Sequence, residues 1–167
     1  MRRFLVICAS LAALAAPASA LALHESSGDG TLVVQNGTAP PKVPVVALTI
    51  NGAAIGHVEH GRIVIDDWTP NNNVDATVTG YDSRKDGPTD TSQTWGGTDF
   101  SFRAAGGKYT ILIYGSKVDV VAVGRGTVTL AGTPDTTVGD GKYSLNGDAF
   151  HSLPGTPTAK LTIGANG

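Results

Sequence analysis

His57, Glu59 and His60 stand close together in the chain, and imidazoles and carboxylates are the groups that ligate zinc or pass protons. In an extended strand successive side chains alternate between faces, so His57 and Glu59 share one face and His60 takes the other. Zinc needs three or four convergent ligands. The trio therefore reads as surface residues beside a turn, and no metal or cofactor is expected. Asp66, Asp67 and Asp99 are the carboxylates a hydrolase could use as acid and base, if two of them met in one cleft with separated pKa values. No recognisable spacing pairs them. Asp82, Asp86 and Asp90 lack EF-hand spacing, which leaves a loop carboxylate site as their only reading toward calcium. There is no Gly-x-Ser-x-Gly elbow, phosphate-binding glycine loop or paired-cysteine motif.

Aromatic residues offer a second kind of chemistry. Residues Tyr81 to Thr98 read YDSRKDGPTDTSQTWGGT, the longest polar interruption in the chain. A long loop in a small domain is usually functional or disordered. Trp95 is followed by Gly96 and Gly97. Its indole must pack on a ligand, a partner or its own domain, and both packing and binding readings stand, own-domain packing being favoured. Trp68, after Asp66 and Asp67, has the same ambiguity. Trp95, Tyr81 and Trp68 are thus the candidate binding contacts. Leu153-Pro154-Gly155-Thr156 is close to a cell-wall sorting signal, but Pro157 follows and no apolar segment with a basic tail comes after it. Asn36-Gly37-Thr38 would be a glycosylation acceptor in a eukaryote.

The elements that must position these residues follow from composition. The 22 glycines among 167 residues far exceed the usual ~7%, without the three-residue period of collagen. Only 16% of residues are charged, which argues against coiled coils and polyelectrolyte tails. Residues 1–20 read as a signal peptide. Arg2 and Arg3 lead into an apolar run from Phe4 to Ala16, too short for a ~20-residue membrane span. Pro17 and the small residues Ala18-Ser19-Ala20 then set cleavage after Ala20, with Ala22 an equal alternative. Cys8 lies too early for a lipoprotein cysteine, and the arginine pair lacks twin-arginine flanks.

Cleavage removes two arginines and the only cysteine, taking the formal charge from −2 to −4. A mature domain without cysteine must rely on its hydrophobic core outside the cell. Its mild acidity argues against nucleic acid as a partner. Residues 21–29 are expected to be a flexible N-terminal segment and 30–167 a single β domain, secreted or held in the periplasm or cell envelope, with no transmembrane span.

Gly and Pro interrupt every stretch too soon for an average helix of about 11–12 residues, while Val, Ile and Thr are abundant. The segments between breakers give about ten short strands: 31–35, 44–51, 55–59, 62–66, 74–80, 99–103, 108–114, 118–123, 127–131 and a weaker tail at 142–145 with 160–163. Alternation places Ile50, Ile55, Ile63, Ile65, Phe100, Phe102, Ile111, Ile113, Val120, Val128 and Leu130 in the core. Residues 118–123 and 43–50 are apolar on both faces, as strands covered on both sides are. Ile50–Val58 aligns with Ile113–Val121 and, after a two-residue insertion, Gly61–Ile65 meets Gly126–Leu130, a pattern expected of a duplicated strand–corner–strand unit. The expected fold is all-β, a mostly antiparallel sandwich or barrel, with a short β-solenoid as the alternative.

The strings GTLVVQNGTA, IGHVEHGRIVID, GGKYTILIYG, VDVVAVGRGTVTLAG and DGKYSLNG resemble a group of small secreted bacterial proteins. The resemblance implies an exported all-β domain and transfers no activity and no functional residue. Function is therefore read from the residues alone. The leading expectation is a non-enzymatic envelope or extracellular module that binds an envelope component or polysaccharide through a loop-and-aromatic surface. The alternative is a secreted hydrolase, carbohydrate-active or otherwise, using surface carboxylates.

Overall fold

The computed structural model describes residues 27–69, 76–133 and 141–165. The expected signal peptide, its cleavage sites and most of the N-terminal segment lie outside the described residues. The described chain holds strands and no helix: β1 (Gly30–Gly37), β2 (Val46–Asp67), β3 (Thr77–Thr79), β4 (Ser83–Asp86), β5 (Ser92–Leu130), β6 (Lys142–Leu145), β7 (His151–Ser152) and β8 (Leu161–Ile163). All pairings are antiparallel and join one eight-stranded sheet that does not close into a barrel. The barrel expectation is thus corrected.

The count of about ten short strands is corrected as well. Seven of the expected segments fuse into two long strands, β2 and β5, because their glycines bend the backbone without breaking the ladder. β2 pairs with β5 in one unbroken antiparallel register, from Val46↔Leu130 through Gly52↔Gly124 and Gly61↔Gly115 to Asp67↔Tyr109. Earlier parts of β5 pair along the other edge of β2, from Val46↔Ile113 to Gly52↔Gly107 and from Ala54↔Ala104 to Asp66↔Ser92. Each bend is a pair of facing glycines. Gly61 and Gly115 have φ of +155° and +146°, and Gly52 and Gly124 have +156° and +145°, a region that L residues with a Cβ rarely enter. The close approach has the same requirement: a Cβ on Gly61 would lie 2.0 Å from the Tyr114 carbonyl oxygen, and one on Gly115 2.1 Å from that of His60. Gly52 and Gly61 on β2 have the same spacing as Gly115 and Gly124 on β5. The sequence alignment, by contrast, sets Gly61 against Gly126.

The bent sheet encloses one core cluster, drawn from β1, β2, β5 and β8 together with Ala39, Val45 and Leu153. Tyr109, Phe100, Leu48, Ile50, Ile63, Ile111, Ile113 and Leu130 are fully buried there. Truncating such an aliphatic residue to Ala typically costs about 2–5 kcal/mol. Of the expected core, Ile55 is the exception. Beyond the Gly52 bend the even-numbered residues continue to face inward, with Ala54 and Val58 buried, so Ile55 is half-buried on the outer face beside its register partner Val121, which is in turn matched to Val33. Leu153, which begins the sorting-signal-like motif, is a core residue, 6% exposed.

The segment from Tyr81 to Thr98 is not a loop. β4 pairs with β5 from Ser83↔Gly96 to Asp86↔Gln93, making a hairpin. The turn is closed by Gly87 N donating to the Ser92 carbonyl and by Thr89 N donating to Ser92 Oγ (both 2.9 Å). The sequence SRKD is polar at every position because β4 is an exposed edge strand, where charge discourages pairing with other chains.

Candidate functional site

The three aromatic candidates part company in the structure. Trp95 sits on β5 inside the core cluster, 7% exposed, with the Arg84 guanidinium 5.8 Å from its ring. Its indole is packed on its own domain and presents little surface to solvent. Tyr81, 39% exposed, precedes Asp82, whose N donates to the Gly96 carbonyl at 3.0 Å and whose Oδ2 accepts from Thr98 N at 3.0 Å. That places it at the Gly97 end of the hairpin. Trp68 follows the last residue of β2 at the opposite end of the same ladder.

Trp68 is 57% exposed, yet it is held in place. Its backbone N donates to the Lys108 carbonyl (2.9 Å) and its Nε1 to Thr110 Oγ1 (3.1 Å). The Lys108 ammonium stands 5.0 Å from the ring centroid, within cation–π range. An apolar ring left in water and fixed in orientation is a surface from which a ligand can gain stacking energy at little ordering cost.

Beside it lies a rank of hydroxyls that only strand pairing creates. Thr162, Thr127, Thr49 and Thr110 are successive register partners across β8, β5, β2 and the earlier part of β5, and Asp66 is the next partner of Thr110. Directly opposed residues share a face, so this is one line of polar groups crossing the outer surface. Thr49 and Thr110 hydroxyls are 3.5 Å apart, and Asp66 Oδ1 accepts from Thr91 Oγ1 at 2.6 Å. Asn51, the register partner of Lys108, adds an exposed amide on the far side of Lys108.

The carboxylates expected of a hydrolase do not converge. Asp66 is matched to Ser92, while Asp99 lies beyond the His60↔Thr98 pair, on the other side of the Gly61↔Gly97 bend. Asp67 Oδ1 accepts from Thr69 N at 2.9 Å. The histidines are also dispersed: His57 Nε2 is 3.4 Å from Asp99 Oδ1 and its Nδ1 3.3 Å from Ser101 Oγ. His60 Nδ1 is 3.7 Å from Glu59, whose other oxygen is 2.8 Å from Lys117 Nζ. The Lys117 ammonium, hydrogen-bonded to Glu59, holds that carboxyl below its ordinary value. Among the described residues no three His, Cys, Asp or Glu side chains gather as a metal site requires.

Sequence reading found Trp68 but missed Lys108, Thr110, Thr49 and Asn51. The Thr-x-Thr alternation at 127–129 was a visible signal, but the rank depends on which strands become neighbours. Comparison with protein-family models, curated sequences and solved structures finds no match to this chain.

Proposed function

We propose that this chain is a secreted, non-enzymatic binding module whose ligand is a polysaccharide of the cell envelope or surroundings. The observation that carries the reading is Trp68, more than half exposed, held by a backbone and an indole hydrogen bond and flanked by Lys108 and the threonine rank. Sugars present an apolar ring face edged by hydroxyls. An aromatic ring edged by hydroxyl and ammonium groups matches that pattern. A rank of polar groups running across several strands suits a chain of sugars better than a single small molecule. Export rests on the basic start and short apolar run at residues 1–20, and the equal spacing of the glycine corners supports a duplicated unit.

Co-sedimentation with insoluble polysaccharides and with isolated cell envelopes tests the reading. Wild-type protein is expected in the pellet, and Trp68→Ala in the supernatant with its melting temperature unchanged. Equal retention of Trp68→Ala, or no retention of the wild type on any polysaccharide, would refute it.

A further inference from the structure

Two arginines directly follow corner glycines: Arg62 after Gly61 and Arg125 after Gly124. The two corners are furnished differently. At the Gly124 corner the chain's own residues 27–30 lie against the guanidinium. Arg125 Nε is 3.3 Å from Asp29 Oδ1, and its Nη2 donates to the Ser27 carbonyl. Ala165 N donates to the Gly28 carbonyl at 2.7 Å, holding that stretch in place. A turn of the chain's own backbone, with Gly28 at φ +90°, and the Asp29 carboxylate occupy this corner.

At the Gly61 corner the Arg62 guanidinium carbon lies 4.1 Å from the centroid of the Tyr114 ring, its register partner. Among the described residues no carboxylate sits on Arg62. Beside it opens a cleft of about 410 Å³ lined by Ala39, Pro41, His60, Arg62, Tyr114 and Ser116. Glu59 is ion-paired with Lys117 and lies 3.7 Å from the Nδ1 of His60, so among the described residues Arg62 is the cleft cation with no carboxylate on it. Stacking on Tyr114 uses the face of the guanidinium and leaves its in-plane N–H groups to a carboxylate, the geometry in which arginine binds carboxylates with two parallel bonds.

We propose that the Gly61–Gly115 corner binds an acidic peptide, with Arg62 taking an Asp or Glu carboxylate as Arg125 takes Asp29. A peptide fits better than a sugar acid because the filled corner engages a main-chain carbonyl as well as the carboxylate. In the open corner Ser116 and His60, whose Nδ1 faces Glu59, are the other polar residues of the cleft wall. The site is separate from the Trp68 surface and does not depend on it.

The test is an amide NMR titration of the full chain with a capped peptide, Ser-Gly-Asp-Gly-Thr, copied from residues 27–31, and with its Asp→Asn twin. Shifts are expected at 60–62 and 114–116 with the aspartate peptide. The asparagine peptide should bind about ten- to a hundredfold more weakly, as the loss of a charge-assisted bond implies. About 0.5 M salt should weaken the aspartate complex, and Arg62→Gln should abolish it. The peptide pair requires no change in the protein, so the comparison holds however that variant folds. Equal affinity of the two peptides, absence of shifts at millimolar peptide, or shifts centred on Arg125 would overturn the proposal. Tighter binding of an oligogalacturonate than of the peptide at the same residues would overturn it too, making the corner a sugar-acid site.

Discussion

Gly61→Ala should destabilise the protein by several kcal/mol through backbone alone. The new Cβ would lie 2.0 Å from the Tyr114 carbonyl oxygen and 2.8 Å from Gly115 Cα, whereas non-bonded carbon contacts settle near 3.5–4.0 Å. No rotamer can relieve this, because both opposing atoms are main chain. The strands must part by more than about an ångström at a point where β2 is hydrogen-bonded on both edges. Strain at a φ of +155° adds about 1–3 kcal/mol, and overpacking of this kind costs about 1–3 kcal/mol. A loss of roughly 2–6 kcal/mol is a large part of the 5–15 kcal/mol that holds a typical domain folded.

Equilibrium urea unfolding reads the effect as a fall in midpoint at constant m. Gly147 supplies the control, since its φ is +81° but a Cβ there meets nothing within 4 Å. Gly147→Ala should therefore show only the left-handed penalty, about 1–2 kcal/mol. Gly61→Ala paired with Gly115→Ala should be less than additive, because one strand separation relieves both clashes. Paired with Gly52→Ala, at a different corner, it should add. If Gly61→Ala lies within about 0.5 kcal/mol of wild type, or costs no more than Gly147→Ala, the corners are not held by facing glycines.

The two tryptophans should separate cleanly. Trp95→Ala is expected to cost about 3–5 kcal/mol as a buried aromatic, while Trp68→Ala should stay within about 0.5 kcal/mol and remove the acrylamide-quenchable part of the fluorescence. Ile113→Ala should cost about 2–5 kcal/mol by thermal or urea unfolding, and a smaller loss would show that its surroundings collapse to fill the space. Glu59 should titrate below the ordinary carboxylate range, because the Lys117 hydrogen bond favours its charged form. A depressed carboxylate contributes stability above its unfolded pKa and loses it as pH falls through the folded value. Lys117→Met should restore an ordinary titration in carboxyl NMR, and an unchanged titration would show that the ion pair does not form in solution.

The all-β class was legible because glycine and proline punctuation is local, as is the alternation that buries Ile63, Ile65, Phe100, Phe102, Ile111 and Ile113. Ile55 was misplaced because face assignment needs the parity carried through a bend, and a sequence does not say whether Gly52 ends a strand or bends it. The same ambiguity split β2 and β5 into pieces. The hairpin at 83–96 was hidden because an edge strand exposes both its faces to water, so Ser83 to Asp86 show no apolar alternation.

The candidate sites were less legible for a related reason. Trp68 could be named from its type, but what fixes it, Thr110 and Lys108, is remote in the chain, and the threonine rank joins residues from β2, β5 and β8. Arg62 and Tyr114 are likewise brought together by the register that the facing glycines enforce. A corner that admits no Cβ forces a tight approach of main chains, and the residues just after each glycine are presented outward at the bend. In Gly61-Arg62 and Gly124-Arg125 the glycine sets the close approach and the arginine occupies the surface it creates. The furnishing of the two corners then decides their roles: the carboxylate of Asp29 makes one a structural joint, and Tyr114 without a carboxylate makes the other a binding surface.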